Sequence, residues 1–242
     1  MQTQHGARLK ESTEGWEGKT AGKTEPSWFT DASTPKFSKL DRDISVDVAI
    51  IGGGIAGMTT GYLLAKAGKT VAVIDDGNVA SGESGRTTAH ITHALDDRYY
   101  NIERFLGKKG SKLAAESHTT AIDMVERIVL DESISCDFER LDGFLFLDPS
   151  DETASLEKEI LATHQAGIIG TRILDSAPLE SFDTGPCLHF PNQAQFHILK
   201  YITGLANAII RNKGFVYTQT HAKQVTAKAV KTADGHTVRA KK

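Results

Sequence analysis

One stretch, residues 46–75, constrains the fold of this chain more than any other part of it. It contains an apolar run with β-branched residues, three glycines spaced as G-x-G-x-x-G, an apolar-rich run of helical length that ends at a glycine, and a second apolar run that ends at an acid. In order, these pieces are residues 46–51, then Gly52, Gly54 and Gly57, residues 58–67 with Gly68, and residues 70–74 with Asp75. The complete series predicts a βαβ unit of the dinucleotide-binding, Rossmann-like type. The alternative is a βαβ unit whose turn is merely rich in glycine.

Each feature of such a unit has its own physical reason. Gly52 lets the chain turn sharply out of the strand, and Gly54 leaves space where a pyrophosphate approaches the backbone. Gly57 lets the helix lie close to the sheet, and the first turn of that helix offers N–H groups to the phosphates. Asp75 ends the second strand, where a carboxylate accepts hydrogen bonds from ribose hydroxyls. The expected ligand is therefore a dinucleotide.

Chain length, net charge and cysteine content limit which other classes of function are possible. The 242 residues are enough for one large domain or two small ones. A formal net charge of −3 gives no electrostatic case for binding nucleic acid or an anionic membrane, and no apolar run is long enough to span a bilayer. The two cysteines, Cys136 and Cys187, form neither a disulfide framework nor a metal site by their spacing, which favours a reducing, cytoplasmic compartment. We expect no nucleic-acid, membrane, disulfide or metal partner.

The N-terminal part is polar. Residues 1–43 are rich in Gly, Ser, Thr, Lys and Glu without periodicity, which predicts a disordered tail. They lack the apolar core of a signal peptide, and their early acids argue against a mitochondrial transit peptide. Trp28, Phe29 and residues 37–40 are the exceptions, and we expect them to anchor the end of the tail to the domain.

A polar loop follows the second strand. Residues 81–93 consist mostly of small and hydroxyl side chains, including Ser84, Thr87 and Thr88. This composition fits an ordinary surface loop. Its place directly after the second strand of a dinucleotide fold also fits a second loop against the cofactor, and both interpretations stay open.

The middle of the chain predicts helices and short strands. Residues 97–131 have a helical period, with an apolar face predicted at Leu113, Ser117, Ala121, Met124, Val125 and Ile128. Residues 136–147 indicate two short strands joined by a turn at Asp142-Gly143. Residues 151–166 indicate a helix capped by Ser150 or Asp151, and residues 171–190 indicate further short strands.

The C-terminal part returns to the pattern of the first unit. Residues 198–210 have a regular amphipathic period, and residues 215–217 form an apolar strand after Gly214. This pair predicts a third parallel strand of the nucleotide-binding sheet. Residues 225–240 then indicate a hairpin that turns at Asp234-Gly235.

With these pieces identified, the chain resembles the D-amino-acid-oxidase/glycine-oxidase family of FAD-dependent oxidoreductases. Three pieces carry the likeness: residues 52–57 with Asp75, the loop 84–90, and the segment 196–222. The likeness covers about residues 28–242. Residues 87–90, followed by residues 95–99, are most similar to a subgroup that carries a C-terminal Rieske iron–sulfur domain.

The resemblance implies which residues hold FAD. The implied pyrophosphate site is the glycine turn and the first helical turn: Gly52, Gly54, Ile55, Ala56 and Gly57. Asp75 is implied at the adenosine ribose, and the loop with Ser84, Thr87 and Thr88 is implied along the pyrophosphate towards the isoalloxazine. Ala222 matches the position whose backbone meets the adenine.

The implied activity is oxidation of an amine or amino-acid type C–N bond of a small-molecule substrate, with a hydride passing from the substrate carbon to flavin N5. His90 and His93 stand near the loop expected under the isoalloxazine. Each is a candidate catalytic residue, and each equally fits a histidine that hydrogen-bonds the backbone. The pattern identifies no catalytic acid or base beyond these two candidates.

Two departures from the family pattern bear on the interpretation. The family usually has Glu where this chain has Asp75, one methylene shorter, with Asp76 beside it; two carboxylates there would repel a 2′-phosphate and disfavour NADP. The family pattern also continues past Lys242, with more of the flavin sheet and of the substrate domain. We therefore expect an N-terminal fragment or a truncated gene product.

The predicted fold class is α/β: a Rossmann-like FAD-binding domain with an inserted antiparallel α+β substrate domain, incomplete at the C-terminus. The predicted boundaries are a tail at 1–43, the first part of the FAD domain at 44–134, the insertion at 135–190, and the second part of the FAD domain at 191–242. Two other functions stay open. These are an NAD-dependent dehydrogenase and a truncated, non-catalytic nucleotide-binding paralogue.

Overall fold

The computed structural model describes residues 26–32, 34–148 and 150–241. The helices are α1 (Trp28–Asp31), α2 (Ile55–Lys66), α3 (Tyr99–Glu132), α4 (Ala154–Ala166) and α5 (Ile198–Arg211), with a short 3-10 helix at Glu83–Arg86. The strands are β1 (Ile44–Val46), β2 (Val48–Ile51), β3 (Val71–Ile74), β4 (His90–Ile91), β5 (Glu139–Phe146), β6 (Arg172–Leu174), β7 (Cys187–Gln195), β8 (Phe215–Tyr217), β9 (Ala222–Thr226), β10 (Ala229–Thr232) and β11 (Thr237–Ala240). None of the helices described is both long and apolar enough to cross a bilayer.

The chain forms two compact units. The first contains the described residues up to Thr88, the short segment Ile134–Cys136 and the residues from His197 onward; the second contains Ala89–Ser133 and Asp137–Phe196. Helix α3 thus packs within the second unit, whereas the sequence places it in the FAD domain. The polar tail predicted for residues 1–43 lies outside the described residues as far as residue 25.

A parallel sheet forms the centre of the first unit. Its strand order is β2-β3-β8, and all four residues of the middle strand β3 are buried. The pairing of Ile74 with Tyr217 confirms the predicted third parallel strand. Helices α2 and α5 contact each other, and Gly61 of α2 is so close to Val73 and Ile209 that a Cβ there would lie 3.0 and 3.2 Å from their side chains.

A second sheet in this unit has the order β1-β11-β10-β9. The apolar run predicted as one strand is divided between the two sheets at Asp47, whose carboxylate accepts hydrogen bonds from the backbone N–H and the hydroxyl of Thr70 and pairs with Lys241. The predicted turn at Asp234-Gly235 is confirmed, since Gly235 has a φ of +91° between β10 and β11.

The second unit contains an antiparallel sheet of order β4-β7-β5, with β6 also paired to β7. The predicted hairpin at Asp142-Gly143 is wrong. Strand β5 continues through this dipeptide with a shift of register between Leu141 and Gly143, and it pairs with β7 on both sides of the shift. A Cβ at Gly143 would lie 3.1 Å from Gln193 Cγ, so this glycine allows close strand contact rather than a turn.

Helix α3 has nearly the predicted extent, although it is kinked at Gly107, where φ is +70°, and it does not bury the predicted face. Leu113, Ser117, Ala121 and Met124 of the predicted face are exposed, Val125 is half-buried, and Ile128 is buried as expected. The buried residues of α3 are Tyr99, Ser111, Ala115, Ile122 and Ile128, and Ala115 lies in one core cluster with Ala162 and Ala166 of α4. The contact with α4 uses the small side chain of Ala115, while the larger Leu113 and Met124 are exposed, so a period based on large side chains predicted the wrong face.

The N-terminus of α4 also differs from the prediction. The N-cap residue is Thr153, without a side-chain cap bond, rather than Ser150 or Asp151. Ser150 is used in a turn, where its N–H and hydroxyl both donate to Asp148 Oδ1. The expected glycine end is present, with Gly167 at a φ of +101°.

Candidate functional site

The glycine turn between β2 and α2 has the geometry that the motif predicts. Gly52 has a φ of +109°, a left-handed conformation that glycine adopts without strain. A Cβ at Gly57 would overlap the carbonyl oxygen of Gly52, so the helix can cross the turn this closely only without a side chain there. The end of the strand and the start of the helix are thereby brought into direct backbone contact.

The N-terminus of α2 points at a second loop. Gly54 is the N-cap residue and has no side chain to cap the helix, while Ser84 Oγ accepts a hydrogen bond from Ile55 N at 3.0 Å. A Cβ at Gly54 would lie 2.9 Å from Ser84 Oγ. The first N–H groups of a helix lack intrahelical partners and attract anions. This surface, which we call the cradle, has helix N–H groups and a hydroxyl beside a space that a side chain at Gly54 would fill.

Asp75 stands beside the glycine turn. Its Oδ2 accepts a hydrogen bond from Gly53 N at 2.5 Å, and its Oδ1 accepts one from Gly77 N at 2.8 Å. The carboxylate thus holds the glycine turn and the following loop, and it retains lone pairs for a further donor. The neighbouring Asp76 has a different partner, His221, at 3.3 Å between Oδ2 and Nδ1.

These groups surround one cavity of about 370 Å³ at the carboxyl end of the parallel sheet. Its lining includes five of the predicted cofactor residues: Gly52, Gly54, Asp75, Ser84 and Ala222. The other five are not part of the lining: Ile55, Ala56, Gly57, Thr87 and Thr88. Ile55, Ala56 and Gly57 lie in the first turn of α2, and Thr87 and Thr88 are exposed on the loop.

The cavity also contains residues that the sequence interpretation missed. They are Ile51, Asp76, Ala80, Ser81, Gly82, Glu83, Thr220 and His221. Thr220 follows β8, and its backbone N–H donates to Asp75 O at 2.8 Å. Because the carboxyl ends of adjacent parallel strands meet at one edge, the predicted pairing of β8 with β3 was a signal that could have identified Thr220 and His221.

The two candidate catalytic histidines belong to the second unit. His90 is exposed on β4. His93 is 5% exposed, and burial lowers its pKa. Its backbone N–H donates to Gln193 Oε1 at 2.8 Å, and its ring Nε2 lies 2.8 Å from Gln193 Nε2. The catalytic role of either histidine stays a prediction.

Neither cysteine is in a disulfide, and both Cys136 and Cys187 are buried. Among the residues that the structure describes, no group of three or more His, Cys, Asp or Glu side chains could hold a metal ion.

Comparison with known proteins agrees with this geometry. The model of the "FAD dependent oxidoreductase" family matches residues 47–242. The Bacillus subtilis protein YhfW, named "Putative Rieske 2Fe-2S iron-sulfur protein", is 34% identical over 202 residues, which are 83% of this chain and 39% of that protein. Gamma-glutamylputrescine oxidoreductase of Escherichia coli is 26% identical over 208 residues, 82% of this chain and 48% of its own length. The chain thus spans less than half the length of either relative.

A solved structure shares the fold. Glycine oxidase from Geobacillus kaustophilus superposes with a TM-score of 0.65 at 19% identity, over 81% of this chain and 53% of that one. The likeness confirms the predicted α/β class and the FAD-binding architecture.

Proposed function

The chain belongs to the FAD-dependent oxidoreductase family, and from this premise we propose that the cavity of the first unit holds the adenosine diphosphate part of FAD. The observation that carries the proposal is the cradle at the N-terminus of α2, where Gly54 leaves room and Ser84 supplies a hydroxyl. A pyrophosphate fits this cradle because the helix N-terminus supplies N–H donors and a positive dipole end.

The residues around the cradle divide into three proposed roles. The glycine turn and the first helical turn bind the pyrophosphate: Gly52, Gly54, Ile55, Ala56 and Gly57. Asp75 accepts from the adenosine ribose while it keeps its two backbone bonds. Ser84, Thr87 and Thr88 follow the pyrophosphate towards the flavin, and Ala222 meets the adenine with its backbone.

The charge of the cavity supports FAD over a dinucleotide with a 2′-phosphate. Three acids, Asp75, Asp76 and Glu83, are part of the lining. An additional phosphate among these carboxylates would be repelled, whereas ribose hydroxyls can donate to them. The acidic lining therefore disfavours NADP as a ligand.

We further propose that the complete protein oxidises a C–N bond of an amine or amino acid, for which the bound flavin supplies the hydride acceptor. Support comes from the names of similar proteins, since one relative is a gamma-glutamylputrescine oxidoreductase and one structural neighbour is a glycine oxidase. His90 and His93 are the proposed candidates for contact with substrate. A reducing, cytoplasmic location is proposed because both cysteines are buried and neither is in a disulfide.

Binding of FAD and FMN to the flavin-free protein tests the cavity assignment, because FMN lacks the adenosine monophosphate part. We expect FAD to bind at least about a hundredfold more tightly than FMN, since the cavity contacts lie on the missing part. In Gly54→Val, the branched side chain fills the cradle and FAD binding is lost. Thr60→Val, an exposed and nearly isosteric change on the same helix, is the control. Equal binding of FMN and FAD, or undiminished FAD binding by Gly54→Val, would overturn the assignment.

The activity is tested separately by anaerobic mixing of the flavin-loaded protein with a panel of amino acids and polyamines. Bleaching of the flavin absorbance near 450 nm by any of them supports C–N oxidation. No bleaching by the complete protein, when dithionite still reduces the flavin, would overturn the proposed substrate class.

A further inference from the structure

Residues 28–32 and 34–40, which we call the N-terminal strap, contact two loops that line the dinucleotide cavity. We propose that Trp28 of this strap is a positioning residue: it holds the loop 83–88 in the conformation that retains the cofactor. This inference rests on the proposed function, because it specifies how the same cavity keeps its ligand.

The first end of the strap lies on the loop 83–88. Trp28 Nε1 donates a hydrogen bond to the carbonyl oxygen of Thr87 at 2.9 Å. The neighbouring Phe29 lies against Gly85, where a Cβ would be 3.0 Å from Phe29 Cζ. The strap therefore fixes both the backbone of Thr87 and the buried turn of the loop, next to Ser84 at the cradle.

The Trp28 ring also contacts the ring of His197. Its centroid lies 5.0 Å from that of His197, at an angle of 58° between the rings. His197 is the N-cap of α5, and its Nδ1 accepts from Lys200 N at 3.4 Å. The indole is thus held between the loop and the start of a buried helix, so the hydrogen bond to Thr87 has a defined direction.

The second end of the strap lies on the loop after β8. Thr218 Oγ1 donates to Phe37 O at 2.7 Å, and Leu40 N donates to Thr220 Oγ1 at 3.1 Å. Leu40 is 2% exposed and packs in one core with Ile74. This end is a core anchor, and Thr220 itself lines the cavity.

The two ends differ in how easily they can be released. Leu40 is part of the core, whereas Trp28 is only half-buried and its bond to Thr87 is at the surface. The strap joins Ser84's loop to Thr220's loop, which are more than 130 residues apart in the sequence. Because the strap already orders the two loops in the flavin-free protein, they lose less conformational entropy when FAD binds. The complex with FAD should therefore dissociate more slowly. Loss of the Trp28 contact should therefore act on cofactor retention more than on folding.

The test uses the full chain with Trp28→Ala, the conservative Trp28→Phe, and Lys39→Ala as the matched control in the same strap. Lys39 forms an exposed ion pair with Asp234, which contributes little. Loss of one hydrogen bond and part of a ring contact should speed FAD dissociation by about five- to fiftyfold in Trp28→Ala. Trp28→Phe, which keeps the ring but not the donor, should lie between this variant and the parent. Lys39→Ala should not differ from the parent.

Hydrogen exchange of the flavin-free protein provides a second measurement that does not depend on FAD. Trp28→Ala should raise exchange at residues 83–88 and leave the buried strand Val71–Ile74 protected. Unchanged exchange at 83–88, or a loss of protection in both places, would overturn the positioning role. Faster exchange with an unchanged FAD dissociation rate would overturn the link to the cofactor. Failure of the parent itself to bind FAD would instead contradict the proposed function.

Discussion

The side-chain amide of Gln193 determines which ring nitrogen of His93 carries the proton. The backbone N–H of His93 donates to one end of this amide at 2.8 Å, and an N–H can only donate, so that end is the oxygen Oε1. The amide nitrogen then faces ring Nε2 at 2.8 Å and can only donate to it. His93 is therefore neutral, with its proton on Nδ1.

Other groups around His93 also favour the neutral form of its imidazole. Burial is the largest effect that lowers its pKa, and the electrostatic influence of His118 and Arg140 lowers it further, against the opposing carbonyl groups of Pro191 and of His93 itself. A second ring proton on Nε2 would also meet the N–H₂ of Gln193. These contacts fit a neutral imidazole that accepts a hydrogen bond from Gln193, and they do not fit a general acid that cycles through imidazolium.

We predict that Gln193→Glu raises the pKa of His93, because a carboxylate would accept a hydrogen bond from protonated Nε2. In the parent, His93 should stay neutral as the pH falls through 6.5, the ordinary value of a histidine. NMR titration of the isotope-labelled imidazole measures the pKa of His93 in the parent and in Gln193→Glu. Below pH 6.5 the unfolded chain takes up a proton that the folded parent does not. The parent's free energy of unfolding should therefore fall by up to about 1.4 kcal/mol for each unit by which the pH is lowered. Gln193→Glu should reduce this slope. A parent His93 that titrates at 6.5 or above would contradict the assignment.

The glycines of the turn should separate folding from binding. Gly57→Ala places a methyl group on the carbonyl oxygen of Gly52, which cannot move aside, and should lower the free energy of unfolding by about 2–4 kcal/mol. Gly54→Ala meets only the Ser84 hydroxyl, which can rotate, so the cost should stay below about 1 kcal/mol. Gly54→Ala should nevertheless weaken FAD binding at least about tenfold.

Urea denaturation and flavin titration of both variants measure the two effects. A Gly54→Ala protein as unstable as Gly57→Ala would show that the cradle is part of the packing rather than a space for a ligand.

The sequence predicted those parts of the fold that depend on local constraints. The glycine turn and the end of α2 follow from Gly52 and Gly68, which both have positive φ. The pairing of β8 with β3 joins residues that are distant in sequence, but it follows the general rule that a helix and a strand after a βαβ unit add a parallel strand. The buried face of α3 depends instead on Ala115 meeting small residues of another helix, and the course of β5 depends on Gly143 meeting Gln193. Those partners are distant in sequence, so periodicity and turn signals could not reveal them.

The two adjacent aspartates should behave differently. Asp75→Ala should weaken FAD binding by about 1.5–3 kcal/mol, the range for a hydrogen bond to a charged group, and should also destabilise the flavin-free protein because Gly53 N and Gly77 N lose their acceptor. Asp76→Ala removes only a partner of the exposed His221 and should cost less than about 1 kcal/mol in either measurement. Flavin titration and urea denaturation compare them. Equal losses of affinity would exclude Asp75 as the ribose ligand.

The buried carboxylate of Glu159 should determine the stability of the second unit. It accepts hydrogen bonds from Tyr99 N at 3.0 Å and Tyr100 N at 3.3 Å, and it thereby caps the first segment of α3, before the kink at Gly107, from the neighbouring helix α4. Glu159→Ala should lower the free energy of unfolding by about 2–4 kcal/mol, because two N–H groups lose their acceptor. The exposed Glu157→Ala on the same helix is the control and should change it by less than about 0.5 kcal/mol.

The pH dependence of this site has a definite sign. Burial raises the pKa of Glu159 above its ordinary 4.5, against the lowering effect of the two backbone bonds. The folded protein therefore holds the proton at a higher pH than the unfolded chain, and this contribution to stability is lost as the pH rises from 4.5 through the folded pKa. Glu159→Gln cannot titrate, so the parent should lose stability relative to this variant over that interval. Urea denaturation at several pH values measures the difference, and a constant difference across the interval would show that the carboxylate is ionised as readily in the folded protein as in the unfolded chain.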